Sequence, residues 1–340
     1  MTMDWLLAAP FAHDPSDLWL LRFVPNEDGA LGFRTLPAAY VHDGSRRVTG
    51  LQAWRDYFAH AGATWRAATL DAKPAGIVTC FPQLAICAGL RKRLGRADVP
   101  LIAWTFNLGN LYPGTRQRIA RATLQAVDLF VVHSTAEADA YAEWLDLPRE
   151  RFRFVPLQSP ERAVQFEEDR ERPFLVSMGS AKRDYALLLR VLGELGMRAV
   201  VVAAPHALAG LPVPANVEVR SNLTPAACYE LVQRARLSVI PVANRSTASG
   251  QVTLLDAMML ARPVIMTRCL ANEDYVDDGK DALLVRHGDF DDMKATIERA
   301  WNDEALRSDL SREARHSALS KFSDQAIGKV LGGILREHSR

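Results

Sequence analysis

The sequence predicts an α/β protein built from two Rossmann-like, doubly wound domains that face each other across a crevice. Three observations carry that prediction. Short apolar runs alternate with longer stretches of helical periodicity almost from end to end, the pattern of a parallel sheet with helical crossovers. At 340 residues the chain exceeds one comfortable core, so two domains are expected. Finally, the polar run "QSPERAVQFEEDRER" at 158–172 lacks any apolar period and reads as a linker between the two series.

In the first series, "WLLAAPF" (5–11), "AGIVTCF" (75–81), "PLIAWTF" (100–106), "LFVVHS" (129–134) and "FRFVPL" (152–157) are short, continuous apolar runs, as strands buried on both faces require. Helical periodicity marks "LQAWRDYFAHAG" (51–62), "QLAICAGLRKRLGR" (83–96), "TRQRIARATLQA" (115–126) and "AEADAYAEWLDL" (136–147). The second series reads as strand "PFLVSMG" (173–179), helix "DYALLLRVLGELG" (184–196), strand "RAVVVAAP" (198–205), strand "NVEVRS" (216–221) and helix "PAACYELVQRA" (225–235). Strand "LSVIPV" (237–242), a helix opening near Gln251 and strand "RPVIMT" (262–267) follow. From Asp289 the tail is almost wholly helical, with Asp289 or Asp291 as the N-cap of its first helix. The expected domains are 1–160 and 161–322, with 323–340 a C-terminal helix returning to the first domain.

Composition excludes several classes. Net charge is +1, from 41 basic and 40 acidic residues, so no global field draws the protein onto nucleic acid. Cys80, Cys87, Cys228 and Cys269 show neither C-x-x-C spacing nor a neighbouring histidine cluster, which argues for reduced thiols in the cytoplasm. The N-terminus lacks a basic region before its apolar run and reads as a buried strand, not a signal peptide. No segment approaches the roughly 18 uninterrupted apolar residues of a membrane span.

Two loops point to an anionic ligand. "STASGQVTLLDAMM" places small residues directly before a helix. A helix start carries about +0.5 of a charge and unpaired N–H groups, so Ser249, Gly250, Gln251, Val252 and Thr253 suit a phosphate. "FLVSMGSAKRDYALLL" ends a strand at Met178 and presents Gly179, Ser180, Lys182 and Arg183 before a helix. Glycine lets the backbone approach a ligand, and a guanidinium forks onto two phosphate oxygens. Both loops lie at strand ends facing one crevice, so a diphosphate clamp is the expectation.

The run "SGQVTLLDAMMLARPVIMTRCLANEDYVDDGKDALLVRHGD" resembles the nucleotide-sugar-binding region of bacterial family 4 glycosyltransferases, the retaining enzymes of GT-B fold. The resemblance extends to "GSAKRDYALLL", "DLFVVHSTAEADAYAEWLDLPRERFRFVPL" and "FSDQAIGKVLGGIL". It implies a hexosyl transfer from a nucleoside diphosphate sugar to an acceptor hydroxyl, with no metal or other cofactor, in polysaccharide, glycolipid or other glycoconjugate synthesis. It places Asp256 on the ribose hydroxyls, the 249–253 loop and helix start with Gly179 and Ser180 on the diphosphate, and Arg183 with Lys182 on its charge. Arg220 and Ser221 fall nearest the base. The sequence departs from the family in three places. The position of the first acid of the usual E-x7-E pair is Ala248, so either Ser249, Gln251 or Asn244 substitutes for it or the donor sugar is held differently. Phe106 and Asn107 follow the strand where relatives often carry a histidine, and Asn107 meets the donor sugar on one reading and is a loop-turn asparagine on the other. A glycine-rich turn after the first strand is replaced by "PFAHDPSDLW", whose His13 and Asp14 face an acceptor on one reading and form a plain turn on the other.

His133 is a further acceptor candidate, or a strand-end histidine, and Ser134 beside it reads as an N-cap. "DFDD" at 289–292 fits N-capping better than metal binding. Arg91, Lys92, Arg93, Arg96, Arg116, Arg118 and Arg121 form a basic stretch that reads as a solvated helix face, or as a contact with anionic headgroups on the inner face of a membrane if the acceptor is lipid-linked. Two other functions fit the same fold: a nucleotide-sugar 2-epimerase, and a nucleotide-sugar-binding scaffold without catalysis.

Overall fold

The computed structural model describes residues 2–42, 49–71, 74–95, 98–243, 249–270 and 272–339. The chain divides into two compact units, Met1–Val155 with Ile327–Arg340, and Pro156–Ala326.

Six strands form the sheet of the first unit: β1 (Met3–Ala8), β2 (Leu31–Leu36), β3 (Gly76–Cys80), β4 (Leu101–Trp104), β5 (Leu129–Val132) and β6 (Phe152–Phe154). All pair in parallel, in the order β2-β1-β3-β4-β5-β6. Every residue of β3, β4 and β5 is buried, as expected where helices cover both faces of a parallel sheet. Because side chains alternate, neighbouring residues feed different cores. Leu6, Ile77, Leu101 and Phe130 pack with residues of α1 (Leu51–Arg66), α2 (Pro82–Gly95), α3 (Thr115–Leu124) and α4 (Thr135–Leu145). Trp5, Leu7, Val78, Ile102 and Val131 form the core on the opposite face.

The second unit contains β7 (Leu175–Met178), β8 (Ala199–Val202), β9 (Val217–Arg220), β10 (Leu237–Ile240), β11 (Val264–Thr267) and β12 (Leu283–Val285). Its helices are α5 (Tyr185–Leu195), α6 (Pro225–Arg234), α7 (Gln251–Met259), α8 (Phe290–Asn302) and α9 (Glu304–Lys321). The parallel order is β12-β11-β10-β7-β8-β9. Strands β7 to β9 are laid down in one direction and β10 to β12 in the other, so the order reverses between β7 and β10. Ligands of doubly wound sheets bind beyond the carboxyl ends of the strands at such a reversal. Asp289 caps α8 by accepting from the Asp292 N–H at 2.9 Å, so "DFDD" is a helix start.

The last helix, α10 (Asp324–Glu337), sends Ile327, Leu331, Ile334 and Leu335 into the Trp5 and Leu7 core of the first unit. That spacing is one apolar helix face. Gly328 permits close approach, since a Cβ there would collide with the Phe23 carbonyl.

Three features differ from the sequence expectation, the first being that the short strand β12 is not among the expected strands. Strand β2, "LGFRTL", is not among the expected strands. It sits at a sheet edge with four of its six residues at least partly exposed, so no continuous apolar run announces it. The stretch at 158–172 is not a free linker but a strap fastened along the second unit. Ser159 N–H donates to the Phe322 carbonyl at 2.9 Å, and the Gln233 side-chain oxygen accepts from Gln165 and Phe166 N–H at 2.5 and 3.1 Å. Glu168 pairs with Arg236 at 2.6 Å, and Arg315 donates to the Arg162 carbonyl at 2.8 Å.

Candidate functional site

The loop after β7 and the loop after β10 meet at the strand reversal. Arg183 and Val242 form an antiparallel bridge, Ala243 N–H donates to the Lys182 carbonyl at 3.0 Å, and Asp184 N–H donates to the Pro241 carbonyl at 2.9 Å. Lys182 turns the first loop with φ +54°, a left-handed conformation that costs a non-glycine residue about 1–2 kcal/mol. That turn leaves Lys182 exposed and folds Arg183 back over the carboxyl end of β7.

Arg183 is the centre of the arrangement. Its Nε donates to the Met178 carbonyl at 3.2 Å and its Nη1 to the Ala181 carbonyl at 2.9 Å. The same guanidinium reaches Ser249 Oγ and Thr253 Oγ1, each at 3.2 Å. Carbonyls and hydroxyls are neutral acceptors, and none of these partners is a carboxylate. Burial therefore pulls the guanidinium below its ordinary pKa, with only the Tyr185 hydroxyl acting against it. A cation held by neutral groups beside a helix start can accept an anion without first giving up a carboxylate partner.

Glycine is required twice here. Gly179 has φ +108°, and a Cβ would lie 2.6 Å from Arg183 Nη2, in the space the guanidinium fills. Gly250, at φ +89°, is the residue before α7, and a Cβ there would meet Met266 Cε at 2.8 Å and Ile240 Cγ2 at 2.9 Å. With glycine in that position, no side chain caps the helix start. Ser249 and Gln251 are buried, whereas Val252 is 66% exposed on the open side of the first turn. Ser180 accepts from the Ala204 N–H at 2.7 Å, tying its loop to the end of β8.

Asp256 lies one turn into α7 from Val252 and Thr253. Its Oδ1 accepts from Arg162 Nε at 3.0 Å and Ser159 Oγ at 3.4 Å, and it forms an ion pair with Arg162 Nη2 at 2.9 Å. Burial pushes its carboxyl pKa up and Arg162 opposes the shift. The Arg162 guanidinium stacks on the Tyr229 ring, 3.9 Å from its centroid. Neither Arg162 nor Tyr229 stands out in the sequence, because the ion pair joins residues 94 positions apart and no local period records it.

The remaining expected residues have the following local surroundings. Arg220 and Ser221 are at the end of the edge strand β9, and Arg220 is paired with Glu218 at 2.7 Å, which raises its pKa. Asn107 is exposed and closes a turn by accepting from Gly109 N–H at 2.8 Å. Phe106 is wholly buried, edge-on to Phe130 at 4.8 Å, so it serves the core. His13 meets the Ala38 carbonyl through Nδ1 at 2.9 Å, and Asp14 accepts from Ser16 N–H and Oγ, a local turn. His133 is buried with Nδ1 2.8 Å from the Val155 carbonyl, and burial lowers its pKa to about 4. Ser134 occupies the residue before α4, yet its hydroxyl makes no capping bond. Ala248 and Asn244 lie outside the described residues.

The basic stretch is only partly free. Lys92 pairs with Asp128, Arg93 donates to the Ala122 carbonyl at 2.6 Å, and Arg121 donates to the Trp144 carbonyl at 2.9 Å. Arg116 lies over the Tyr112 ring at 5.1 Å, while Arg91 and Arg118 are exposed and Arg96 lies outside the described residues. Among the described residues no helix is long and apolar enough to cross a membrane, and no three His, Cys, Asp or Glu side chains cluster as metal ligands.

Residues 177–303, which hold both loops, α7 and Asp256, match the family described as Glycosyl transferases group 1. The chain is 35% identical over 82 residues to the capsular polysaccharide biosynthesis glycosyltransferase CapM of Staphylococcus aureus, covering 24% of this chain and 21% of that protein. It is 26% identical over 88 residues to the poly(ribitol-phosphate) alpha-N-acetylglucosaminyltransferase of S. aureus strain COL, covering 25% of this chain and 18% of that one. The chain thus spans about a fifth of the length of the curated relatives it matches. Similarity in fold is far wider. Sucrose-phosphate synthase from Thermosynechococcus elongatus superposes with a TM-score of 0.72 at 14% identity, covering 99% of each chain. HepE of Anabaena, in complex with UDP and glucose, gives 0.69 at 12% identity over 99% of this chain and 100% of that one. The protein therefore has the two-domain GT-B fold, and residues 177–303 of its second unit are similar to the group 1 glycosyl transferases.

Proposed function

We propose that the protein is a retaining glycosyltransferase that moves a hexosyl group from a nucleoside diphosphate sugar to an acceptor hydroxyl, in the synthesis of a polysaccharide, glycolipid or other glycoconjugate. The observation that carries this reading is Arg183. Its half-buried guanidinium joins the loop after β7 to the first turn of α7, and among the described residues none of its hydrogen-bond partners is a carboxylate. Supporting it are the group 1 match over that segment and the similarity to a capsular polysaccharide glycosyltransferase.

In the proposed reaction the bond from the anomeric carbon to the diphosphate oxygen breaks, and a bond to the acceptor oxygen forms on the same face of the sugar. The leaving diphosphate takes up the acceptor proton, so no separate base is assigned. Its growing negative charge falls on Arg183, Lys182 and the N–H groups at 249–253, with Gly179 and Ser180 admitting its backbone-side oxygens. These cations supply the stabilisation for which other enzymes use a metal, so the reading is metal-independent. Asp256 accepts from the ribose hydroxyls. The Glu218 pairing of Arg220 leaves Ser221 as the freer of the two residues assigned to the base. Asn107, His13, Asp14 and His133 have local structural roles and are not needed by the mechanism.

The test is turnover of a panel of UDP, GDP, ADP and dTDP sugars by the unsubstituted protein and by Arg183→Ala. Loss of donor cleavage by about 100-fold or more in the variant supports the reading. Donor binding without turnover on any acceptor replaces it with a scaffold, and inversion at C2 of the donor sugar replaces it with an epimerase.

A peripheral membrane contact is a second element of the proposal. Leu94 and Ile119 are 72% and 55% exposed on the same two helices as Arg91, Arg93, Arg116 and Arg118. Apolar anchors among cations suit an anionic lipid surface. Co-sedimentation with phosphatidylglycerol vesicles, abolished by Leu94→Glu with Ile119→Glu, is the expected result.

A further inference from the structure

The strap at 158–172 delivers one residue to the donor side of α7. We propose that Arg162 is a positioning residue for the nucleotide ribose: it clamps one oxygen of Asp256 and leaves the other to accept from the ribose hydroxyls. The inference rests on the donor-site reading of Asp256.

Three observations place Arg162 in that role. Two of its nitrogens, with Ser159 Oγ, converge on Oδ1, and among the described residues no hydrogen bond goes to Oδ2. A carboxylate with one oxygen tied three ways cannot rotate freely, so the direction of the second oxygen is fixed before a ligand arrives. Arg162 is itself fixed, because its guanidinium lies on the Tyr229 ring 3.9 Å away while its carbonyl accepts from Arg315 at 2.8 Å. The side chain is thus held by α6 and its backbone by α9, on either side of the contact with α7. Asp256 retains 20% side-chain exposure, enough for a small polar group to reach it. Arg162 also contributes charge. A half-buried carboxyl drifts toward its neutral form, and the guanidinium keeps it an acceptor.

A purely structural ion pair would stabilise the fold and leave ligand selectivity unchanged, whereas a positioning pair sets selectivity at the ribose. The experiment is calorimetric titration of the full chain with UDP and GDP, each against its 2′-deoxy counterpart, and with inorganic pyrophosphate as a probe of the phosphate loops alone. The unsubstituted protein should favour one ribonucleotide over its deoxy form by about tenfold or more. Arg162→Met and Asp256→Asn should each cut that preference to about twofold, with pyrophosphate affinity unchanged, and the double variant should lose no more than either single one. Arg162→Lys, which keeps the charge and the stack but not the two-nitrogen contact, should fall between and guards against a folding defect in the Met variant.

If Arg162→Met keeps the full preference while Asp256→Asn loses it, the positioning role is wrong and the donor-site reading stands. Equal weakening of ribo, deoxy and pyrophosphate binding in Arg162→Met also overturns it, since the pair is then structural. Absence of any ribo preference in the unsubstituted protein removes Asp256 from the ribose and this inference with it.

Discussion

Arg183 Nη2 donates to Thr253 Oγ1 at 3.2 Å, so a cation that follows β7 is anchored to a hydroxyl in the first turn of α7, 70 residues later. The contact aims the guanidinium along the mouth of the helix. Arg183→Lys should keep the charge and lose the simultaneous reach to Ser249 and Thr253. Donor turnover in Arg183→Lys should lie between the unsubstituted protein and Arg183→Ala, with the thermal midpoint within a few degrees of the unsubstituted value. A Lys variant as active as the starting protein would show that only charge matters there.

Gly250 stands at the opening of α7 with no room for a methyl group. Gly250→Ala places a Cβ against Met266 and Ile240 at a positive φ, a combined cost of about 2–3 kcal/mol. Scanning calorimetry should record a fall of roughly 5 °C or more. An unchanged midpoint would contradict the close packing at that turn.

His133 gives a pH dependence with a defined sign. Its folded pKa of about 4 lies below the ordinary 6.5, so the unfolded chain takes up the proton first as the pH falls. The contribution is fully present above pH 6.5 and is lost on acidification between 6.5 and 4, about 3 kcal/mol in all. Urea unfolding midpoints of His133→Gln should therefore depend less on pH across that window than those of the unsubstituted protein. Parallel profiles would refute the assignment.

Phe106 stands where the family resemblance implied a histidine, and the structure uses it as core. Phe106→His should cost about 2–4 kcal/mol through lost packing on Phe130 and Tyr141, with no gain in donor turnover. Denaturant unfolding and the donor assay together check it.

Most of the buried framework was legible because buried parallel strands are near-continuous apolar runs, and β3, β4, β5, β7 and β10 are broken at most by one Ser or Thr. The two loops at the strand reversal were legible for a related reason: each lies directly between a readable strand and a readable helix, so Arg183 and Gly250 could be placed relative to the sheet. Edge strand β2 was not, since its half-exposed residues alternate irregularly. Arg162 and Tyr229 were invisible because their meaning comes from Asp256, far away in the chain. Arg220 was readable as a strand-end cation, but its pairing with Glu218 two residues earlier depends on which face of the edge is open.

The strap also changes what a protease meets. Arg162, Arg170 and Arg172 would be ready cleavage points in a loose connector. Here the Arg162 carbonyl accepts from Arg315, Arg170 pairs with Glu304, and the Arg172 carbonyl accepts from Arg198. Ahead of the strap, Val155 N–H is bonded to the Val132 carbonyl and Leu157 N–H to the Tyr275 hydroxyl, leaving Pro156 alone between the two anchors. Trypsin should therefore cut the strap more slowly than a free connector of the same sequence.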